Sequence, residues 1–156
     1  LDGWSKTYAM TGWRLGWGVW PEKLVDHLFK FCVNNHSCVN AAIQYGALSA
    51  LDGPDDSIHS MVKKLISRKN LMVNGLKQLT GIIGKESEAG FFIFANVKGT
   101  GMNGEEFAER CLKEAGVALI PGTAFGNCAG DNVRRNFTTS EENISSALEK
   151  INTMLG

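Results

Sequence analysis

The sequence lacks an excess of charge of either sign, and it lacks any long apolar run. Its 16 basic and 16 acidic residues give a formal net charge of zero, so no field of one sign favours nucleic acid or an anionic membrane. No apolar stretch approaches the roughly 20 residues that a membrane-spanning helix needs, and no signal peptide is visible. The composition therefore predicts a protein that binds neither nucleic acid nor a membrane.

Cysteine is scarce and scattered. Cys32, Cys38, Cys111 and Cys128 form no CxxC pair, and the three histidines supply no metal-ligand spacing. The sequence therefore predicts no metal site. Unpaired thiols are typical of the reducing cytoplasm, whereas disulfides are typical of secreted proteins, so a cytoplasmic location with unpaired thiols is favoured over the alternative of disulfides.

The length is that of one average domain, 156 residues, with 44% hydrophobic and 21% charged residues, as in ordinary globular proteins. The first residue is Leu1, and the most distinctive motif begins only a few residues later. A motif so close to a terminus has almost no preceding sequence to form a pocket around it. We therefore expect the chain to be a fragment of a longer protein.

Hydrophobic periodicity predicts several helices and strands. Strands are predicted over 15–20, 91–97, 117–120 and 133–138, and helices over 21–33, 38–51, 57–80, 103–115 and from about 139 to the end. Two capping boxes mark helix starts, Asn103 with Glu106 and Thr139 with Glu142. Gly75 weakens the helix over 57–80 locally, because a mid-helix glycine costs about 1 kcal/mol relative to alanine.

The predicted fold class is α/β, in two pieces. Residues 1–52 supply one strand and two helices, which are too few strands for a sheet of their own. Residues 56–156, including the long helix over about 57–80, are predicted to form a small domain with helices over a three-stranded sheet.

The strongest chemical motif lies in residues 3–16, which are GWSKTYAMTGWRLG. A lysine forms a Schiff base when a sheltered pocket keeps its amine neutral and nucleophilic near pH 7, and Lys6 is the candidate. Arg14, which follows after seven residues, can clamp a phosphate through its planar fork of donors. Together they indicate a cofactor with an aldehyde and a phosphate, pyridoxal 5′-phosphate. The alternative is a surface loop with two unrelated cations.

This segment resembles the lysine signature of class I and II aminotransferases, in the aspartate aminotransferase superfamily of fold type I enzymes. It matches their small-hydrophobic-small-Lys run followed by Gly-x-Arg-hydrophobic-small, although Trp4 is bulkier than usual and Gly3 replaces a serine that many relatives use on the phosphate. The resemblance implies that Lys6 forms the internal aldimine with pyridoxal phosphate and moves a proton at the substrate Cα. It implies that Arg14 binds the cofactor phosphate. Ser5 adds a hydroxyl to the same phosphate or has a purely steric role.

A second motif lies at 131–138, DNVRRNFT. Similar enzymes carry a Val-Arg-hydrophobic-small run on a small-domain strand, and that arginine pairs with the substrate α-carboxylate. By register this substrate-binding residue is Arg134. Arg135 replaces an apolar residue and should face the opposite side of the strand, with an exchange of the two roles as the alternative.

Three further segments carry the likeness through the rest of the chain. Residues 116–126 resemble a loop of the family, and residues 139–144 resemble the start of its last helix. Residues 89–92, AGFF, resemble a Gly-Ala-Phe-Tyr segment on the substrate side, with a plain core role as the alternative.

The resemblance also implies the organisation of the longer protein. Residues 1–52 would be the C-terminal remnant of the cofactor-binding large domain, and 56–156 the small C-terminal domain, joined by the long helix over about 57–80. The full-length protein would be a homodimer that transfers an amino group between an amino acid and a 2-oxo acid. The alternatives are another pyridoxal-phosphate enzyme (a lyase, decarboxylase or synthase) and a catalytically inactive small domain.

Overall fold

The computed structural model describes residues Leu1–Gly156, which divide into two units, Leu1–Met61 and Val62–Gly156. The first unit contains β1 (Asp2–Gly3), α1 (Trp4–Thr7), β2 (Gly16–Trp17), α2 (Glu22–His36), α3 (Ala41–Asp52) and the start of α4 (Asp56–Gln78). Strands β1 and β2 pair antiparallel, with Gly3 opposite Gly16. The predicted helices over 21–33, 38–51 and 57–80 are confirmed, with these bounds.

Strand β2 is shorter and more exposed than the sequence predicts. The buried strand expected over 15–20 is wrong: only Gly16–Trp17 is extended and paired, because the two residues of β1 offer no longer partner. The side chains of Trp17 and Val19 are 49% and 81% exposed. Helix α2 is exposed on its apolar side too, with Phe29 68% open to solvent.

The second unit is built on one antiparallel sheet covered by helices. Its elements are the rest of α4, β3 (Ile83–Gly84), β4 (Phe92–Asn96), α5 (Gly104–Arg110), β5 (Ile120–Pro121), β6 (Asn132–Asn136) and α6 (Glu141–Leu155). The strand order is β3-β4-β6-β5. The prediction of three strands is therefore wrong, because a two-residue strand that contains a glycine, such as β3, leaves no alternating pattern to detect.

The core of this unit lies between the sheet and the three helices. Ile93, Ala95 and Val133 alternate along β4 and β6 and are almost fully buried, together with Leu76 of α4 and Ile151 of α6. The intervening strand residues lie on the opposite face of the sheet. That second face carries the polar and aromatic side chains considered below.

Gly75 in the middle of α4 has a packing reason. A Cβ at this position would collide with the side chain of Leu148 on α6. The glycine therefore allows the two helices to approach closely, which offsets its unfavourable helix propensity.

The first predicted capping box is confirmed. Oδ1 of Asn103 accepts the N–H groups of Glu105 and Glu106 at 3.0 Å, and Oε2 of Glu106 accepts the N–H of Asn103 at 3.0 Å. Beyond α5 the chain makes a π-helical turn, Cys111–Ala115, which ends at Gly116 in a left-handed conformation (φ 66°).

The second predicted capping box is wrong by one residue. Ser140, not Thr139, caps α6, and its side chain accepts the N–H of Asn143 at 3.3 Å. The hydroxyl of Thr139 instead accepts a hydrogen bond from Nδ2 of Asn143 at 3.0 Å. Two neighbouring hydroxyl residues both suit an N-cap, so sequence alone does not choose between them.

Other features that bear on chemistry are few. All four cysteines are free thiols, of which Cys111 is buried. No group of three or more His, Cys, Asp or Glu side chains is placed to hold a metal ion. None of the helices combines the length and the apolar character that a bilayer span requires.

Candidate functional site

Lys6 lies on α1, a single turn that follows directly after β1. Trp4 anchors this turn, and the residue is 8% exposed. Its Nε1–H donates to the carbonyl of Ala47 on α3 at 3.3 Å, and its backbone N–H donates to the carbonyl of Leu15 at 3.4 Å. The bulk of Trp4, unusual for the motif, therefore serves packing. The backbone next to Lys6 is fixed while its side chain is exposed, so the sheltered pocket expected around this lysine is not formed by the residues of the first unit.

Thr11 joins the two ends of the motif. Its hydroxyl donates to the carbonyl of Ser5 at 2.8 Å, and its own carbonyl accepts Nη1–H of Arg14 at 2.9 Å. Sequence reasoning missed this residue, although a hydroxyl side chain between a lysine and an arginine is a candidate bridge. Arg14 itself has φ 54°, a left-handed conformation that is unfavourable for a residue other than glycine. Such conformations cluster at functional sites.

The donors of this motif fit pyridoxal phosphate. Lys6 and Arg14 are exposed and Ser5 is half-buried, so all three side chains can meet a ligand. Arg14 uses Nη1 on Thr11, and its remaining donors suit the oxygens of a phosphate. A primary amine, a guanidinium and a hydroxyl on one short anchored segment match the aldehyde and the phosphate of that cofactor.

The two arginines of β6 lie on opposite faces of the sheet, as the alternation of a strand predicts. Arg135 faces the core and is 5% exposed, and its Nη1 finds no hydrogen-bond partner within the chain. Burial lowers the pKa of Arg135 to about 10, a shift partly opposed by the charge of Cys111. A guanidinium sealed in the core cannot reach a ligand, which argues against the exchange of roles between Arg134 and Arg135.

Arg134 lies on the open face among aromatic rings. Its guanidinium carbon is 4.2 Å from the ring centroid of Phe92 and 4.7 Å from that of Phe125. Phe94, directly opposite Arg134 in the register, makes an edge-to-face contact with Phe125 at 5.9 Å. Phe92 therefore contacts the arginine that the sequence predicts for the substrate, whereas Phe91 packs against the core.

A cavity of about 500 Å³ opens beside Arg134. It is lined by Ile83, Lys85, Glu86, Ser87, Phe92, Phe94, Asn96, Asn132 and Arg134. Glu86 is paired with Lys69 at 2.8 Å, and this hydrogen bond and charge hold the pKa of its carboxyl below the usual range. Arg134 makes no ion pair in the structure. Its guanidinium can therefore bind an anion that enters the cavity.

Comparison with known proteins gives one consistent result. A family model described as aminotransferase class I and II matches residues 1–151. The aspartate aminotransferase of Pyrococcus horikoshii is 37% identical over 97% of this chain and 39% of that protein. The aromatic-amino-acid aminotransferase 2 of Thermococcus litoralis is 34% identical over 99% of this chain and 40% of that protein.

The structural likeness is equally close. The crystal structure of an aromatic aminotransferase from Pyrococcus horikoshii OT3 matches with a TM-score of 0.95 at 35% identity, over 98% of this chain and 41% of that one. The predicted α/β fold is confirmed by this match. The chain spans about 40% of the length of these relatives and corresponds to their C-terminal portion.

Proposed function

Since the chain belongs to the class I and II aminotransferases, we propose that it is the C-terminal portion of a pyridoxal-phosphate-dependent enzyme that transfers an amino group between an amino acid and a 2-oxo acid. The observation that carries the proposal is the link through Thr11 between Arg14 and the residue next to Lys6. In this proposal residues 1–52 are the remnant of the cofactor-binding large domain, and 56–156 are the small domain with the long helix.

In the first unit, each side chain has a distinct role toward the cofactor. Arg14 binds the phosphate with the donors that Thr11 leaves open, and the hydroxyl of Ser5 adds a further donor to the same group. The amine of Lys6 would hold the cofactor at its aldehyde, and the same amine would carry a proton to and from the substrate Cα. Pyridoxal phosphate, when bound, supplies the electron sink that stabilises negative charge at that carbon.

In the second unit, Arg134 binds the substrate α-carboxylate. Its guanidinium has no acidic partner in the chain, so no ion pair has to break when a carboxylate arrives. A planar fork of donors matches both oxygens of a carboxylate at once. The same group serves the amino acid and the 2-oxo acid, because both carry this carboxylate.

Lys6 is exposed in this chain, which supports a site whose remaining wall comes from elsewhere. A lysine that acts as a base must be neutral in part near pH 7, which needs desolvation or a nearby cation. We propose that the preceding part of a longer, cytoplasmic protein supplies this wall. That preceding part would also supply an acidic partner for the pyridine nitrogen, an aromatic ring over the cofactor and a helix N-terminus at the phosphate. The partner subunit of a homodimer would complete each site.

The test is a half-reaction with the full-length protein that contains this chain. The protein, loaded with pyridoxal phosphate, is mixed in turn with each proteinogenic amino acid and no acceptor. We expect at least one amino acid to change the absorbance of the bound cofactor and to yield about one equivalent of its 2-oxo acid per site. Absence of a 2-oxo acid with every amino acid would refute aminotransfer, and release of carbon dioxide or ammonia instead would favour a decarboxylase or a lyase.

A further inference from the structure

Two aromatic rings from different parts of the second unit meet at one guanidinium. Phe92 lies on β4 and Phe125 ends the 3₁₀ turn Gly122–Phe125. Their ring centroids lie 4.2 and 4.7 Å from the guanidinium carbon of Arg134. Both distances are within the roughly 6 Å at which a cation is attracted to an aromatic face. The side chain of Arg134 is thus held by two rings that belong to separate elements.

The ring of Phe125 is itself held in place by its neighbours. The phenyl group of Phe94 contacts Phe125 edge to face at an interplanar angle of 86°. The turn that carries Phe125 is tied down by the hydroxyl of Thr123, which donates to Oε1 of Glu105 at 2.8 Å. Gly122 at its start packs so closely that a Cβ would collide with the carbonyl of Ala129. Phe125 is therefore placed by the fold, although half of its surface is exposed.

The contacts leave the donors of the guanidinium available. Attraction to an aromatic ring uses the positive charge of the cation and consumes none of its N–H groups. A free arginine side chain must give up rotamer entropy when it binds a ligand, and a side chain that is already held gives up less. A carboxylate that enters the cavity beside Arg134 would find the guanidinium already positioned. No ion pair between Arg134 and an acidic side chain would have to break first.

We propose that Phe92 and Phe125 are positioning residues that hold Arg134 for the substrate carboxylate. This inference rests on the proposed function, in which Arg134 binds the α-carboxylate. The flat guanidinium can lie against the two rings while it binds a carboxylate through two parallel N–H groups. The aromatic pair therefore makes carboxylate binding depend on an arginine at this position. The rings affect the affinity for the substrate carboxylate and take no part in the proton transfer at Cα.

The test compares Phe125→Leu and Phe92→Leu with the wild type in the full-length protein. Leucine keeps an apolar side chain and removes the aromatic face. We expect each change to raise KM for the reactive amino acid about three- to ten-fold with little change in kcat. The Kd of 3-phenylpropionate, an unreactive carboxylate measured by calorimetry, should rise by the same factor. Phe125→Tyr, which restores a ring, should recover most of the affinity.

A double-mutant cycle separates positioning from a general effect on folding. In an Arg134→Gln background the rings have no cation to hold, so Phe125→Leu should leave the affinity for 3-phenylpropionate unchanged. Leu112→Ala, at a side chain that is 58% exposed on the π-helical turn, is the matched control for truncating a surface apolar group. The inference is overturned if Phe125→Leu weakens binding equally with and without Arg134, or does not weaken it at all.

The outcomes also distinguish this inference from the proposed function. A wild-type protein that transaminates, with Phe→Leu variants of unchanged KM and Kd, would refute the inference alone. A wild-type protein that is inert toward every amino acid, but binds 3-phenylpropionate through Arg134 and loses affinity in Phe125→Leu, would refute aminotransfer and support the positioning of Arg134.

Discussion

The carbonyl oxygen of Thr11 accepts a hydrogen bond of 2.9 Å from Nη1 of Arg14. The hydroxyl of the same threonine donates to the carbonyl of Ser5 at 2.8 Å. The arginine proposed for the cofactor phosphate is thereby tied to the residue that precedes the proposed catalytic lysine. A change at Thr11 should therefore be felt in cofactor binding, although its side chain is assigned no contact with the cofactor.

Thr11→Val should weaken the binding of pyridoxal phosphate about three- to ten-fold. The substitution keeps the shape of the side chain but removes the hydroxyl that donates to Ser5, and a hydrogen bond contributes about 1 kcal/mol net. Titration of the full-length apoprotein with the cofactor, followed by absorbance, measures the Kd. Thr11→Ser, which retains the hydroxyl, is the control and should bind like the wild type. Equal affinities for Thr11→Val and Thr11→Ser would show that the bridge does not matter.

Arg14→Lys should lower the affinity for pyridoxal phosphate by about ten-fold or more. Lysine keeps the positive charge but loses the planar fork that binds two phosphate oxygens, and it cannot reproduce the bond to the Thr11 carbonyl in the same geometry. The comparison ligand is pyridoxal, which has the aldehyde and no phosphate. Its affinity should be nearly the same in both proteins, and a similar loss for the two ligands would contradict a phosphate-binding role.

Arg135→Met should stabilise the chain by about 1–3 kcal/mol, since replacing a buried charge by an apolar side chain of similar length is often stabilising. Nη1 of Arg135 has no partner, and burial lowers the pKa of its guanidinium from its ordinary value to about 10. Urea unfolding of the wild type and of the variant measures the difference. Arg110→Met is the control and should destabilise, because Arg110 donates to the Met154 carbonyl at 2.9 Å and pairs with Glu114.

The pH dependence of this difference has a definite sign. Between the folded pKa of Arg135, about 10, and its higher unfolded pKa, the unfolded chain binds more protons than the folded chain. The contribution of Arg135 to stability therefore rises with pH in this window. The advantage of Arg135→Met over the wild type should be largest below pH 10 and should shrink above it. A stability difference between Arg135→Met and the wild type that is the same below and above pH 10 would argue against a lowered pKa of Arg135.

Local patterns were enough to predict several elements. The capping box at Asn103 is contained in four consecutive residues, and each group it needs is visible in the sequence. The opposite faces of Arg134 and Arg135 follow from the two-residue period of a strand. The motif around Lys6 and Arg14 is equally local, and the family it indicated is confirmed by the comparisons.

Contacts between distant residues were not predictable. Two examples are the hydrogen bond from Trp4 to Ala47 and the contact of Arg134 with Phe92. Each contact joins residues more than forty positions apart, so no short sequence pattern predicts it. The exposure of Trp17 on β2 has a different cause. An apolar run predicts burial only where other elements cover it, and in this chain β2 has two paired residues in β1.

Chemical trapping at Lys6 tests the central claim most directly. The full-length protein is incubated with pyridoxal phosphate, reduced with borohydride, digested, and mapped by mass spectrometry, with Lys6→Ala treated in parallel. Borohydride fixes a cofactor bound to a lysine amine as a stable secondary amine. The account predicts a phosphopyridoxyl group on the peptide that contains Lys6 and none on the other lysine peptides. A label on another lysine that persists in Lys6→Ala, or no label at saturating cofactor, would contradict it.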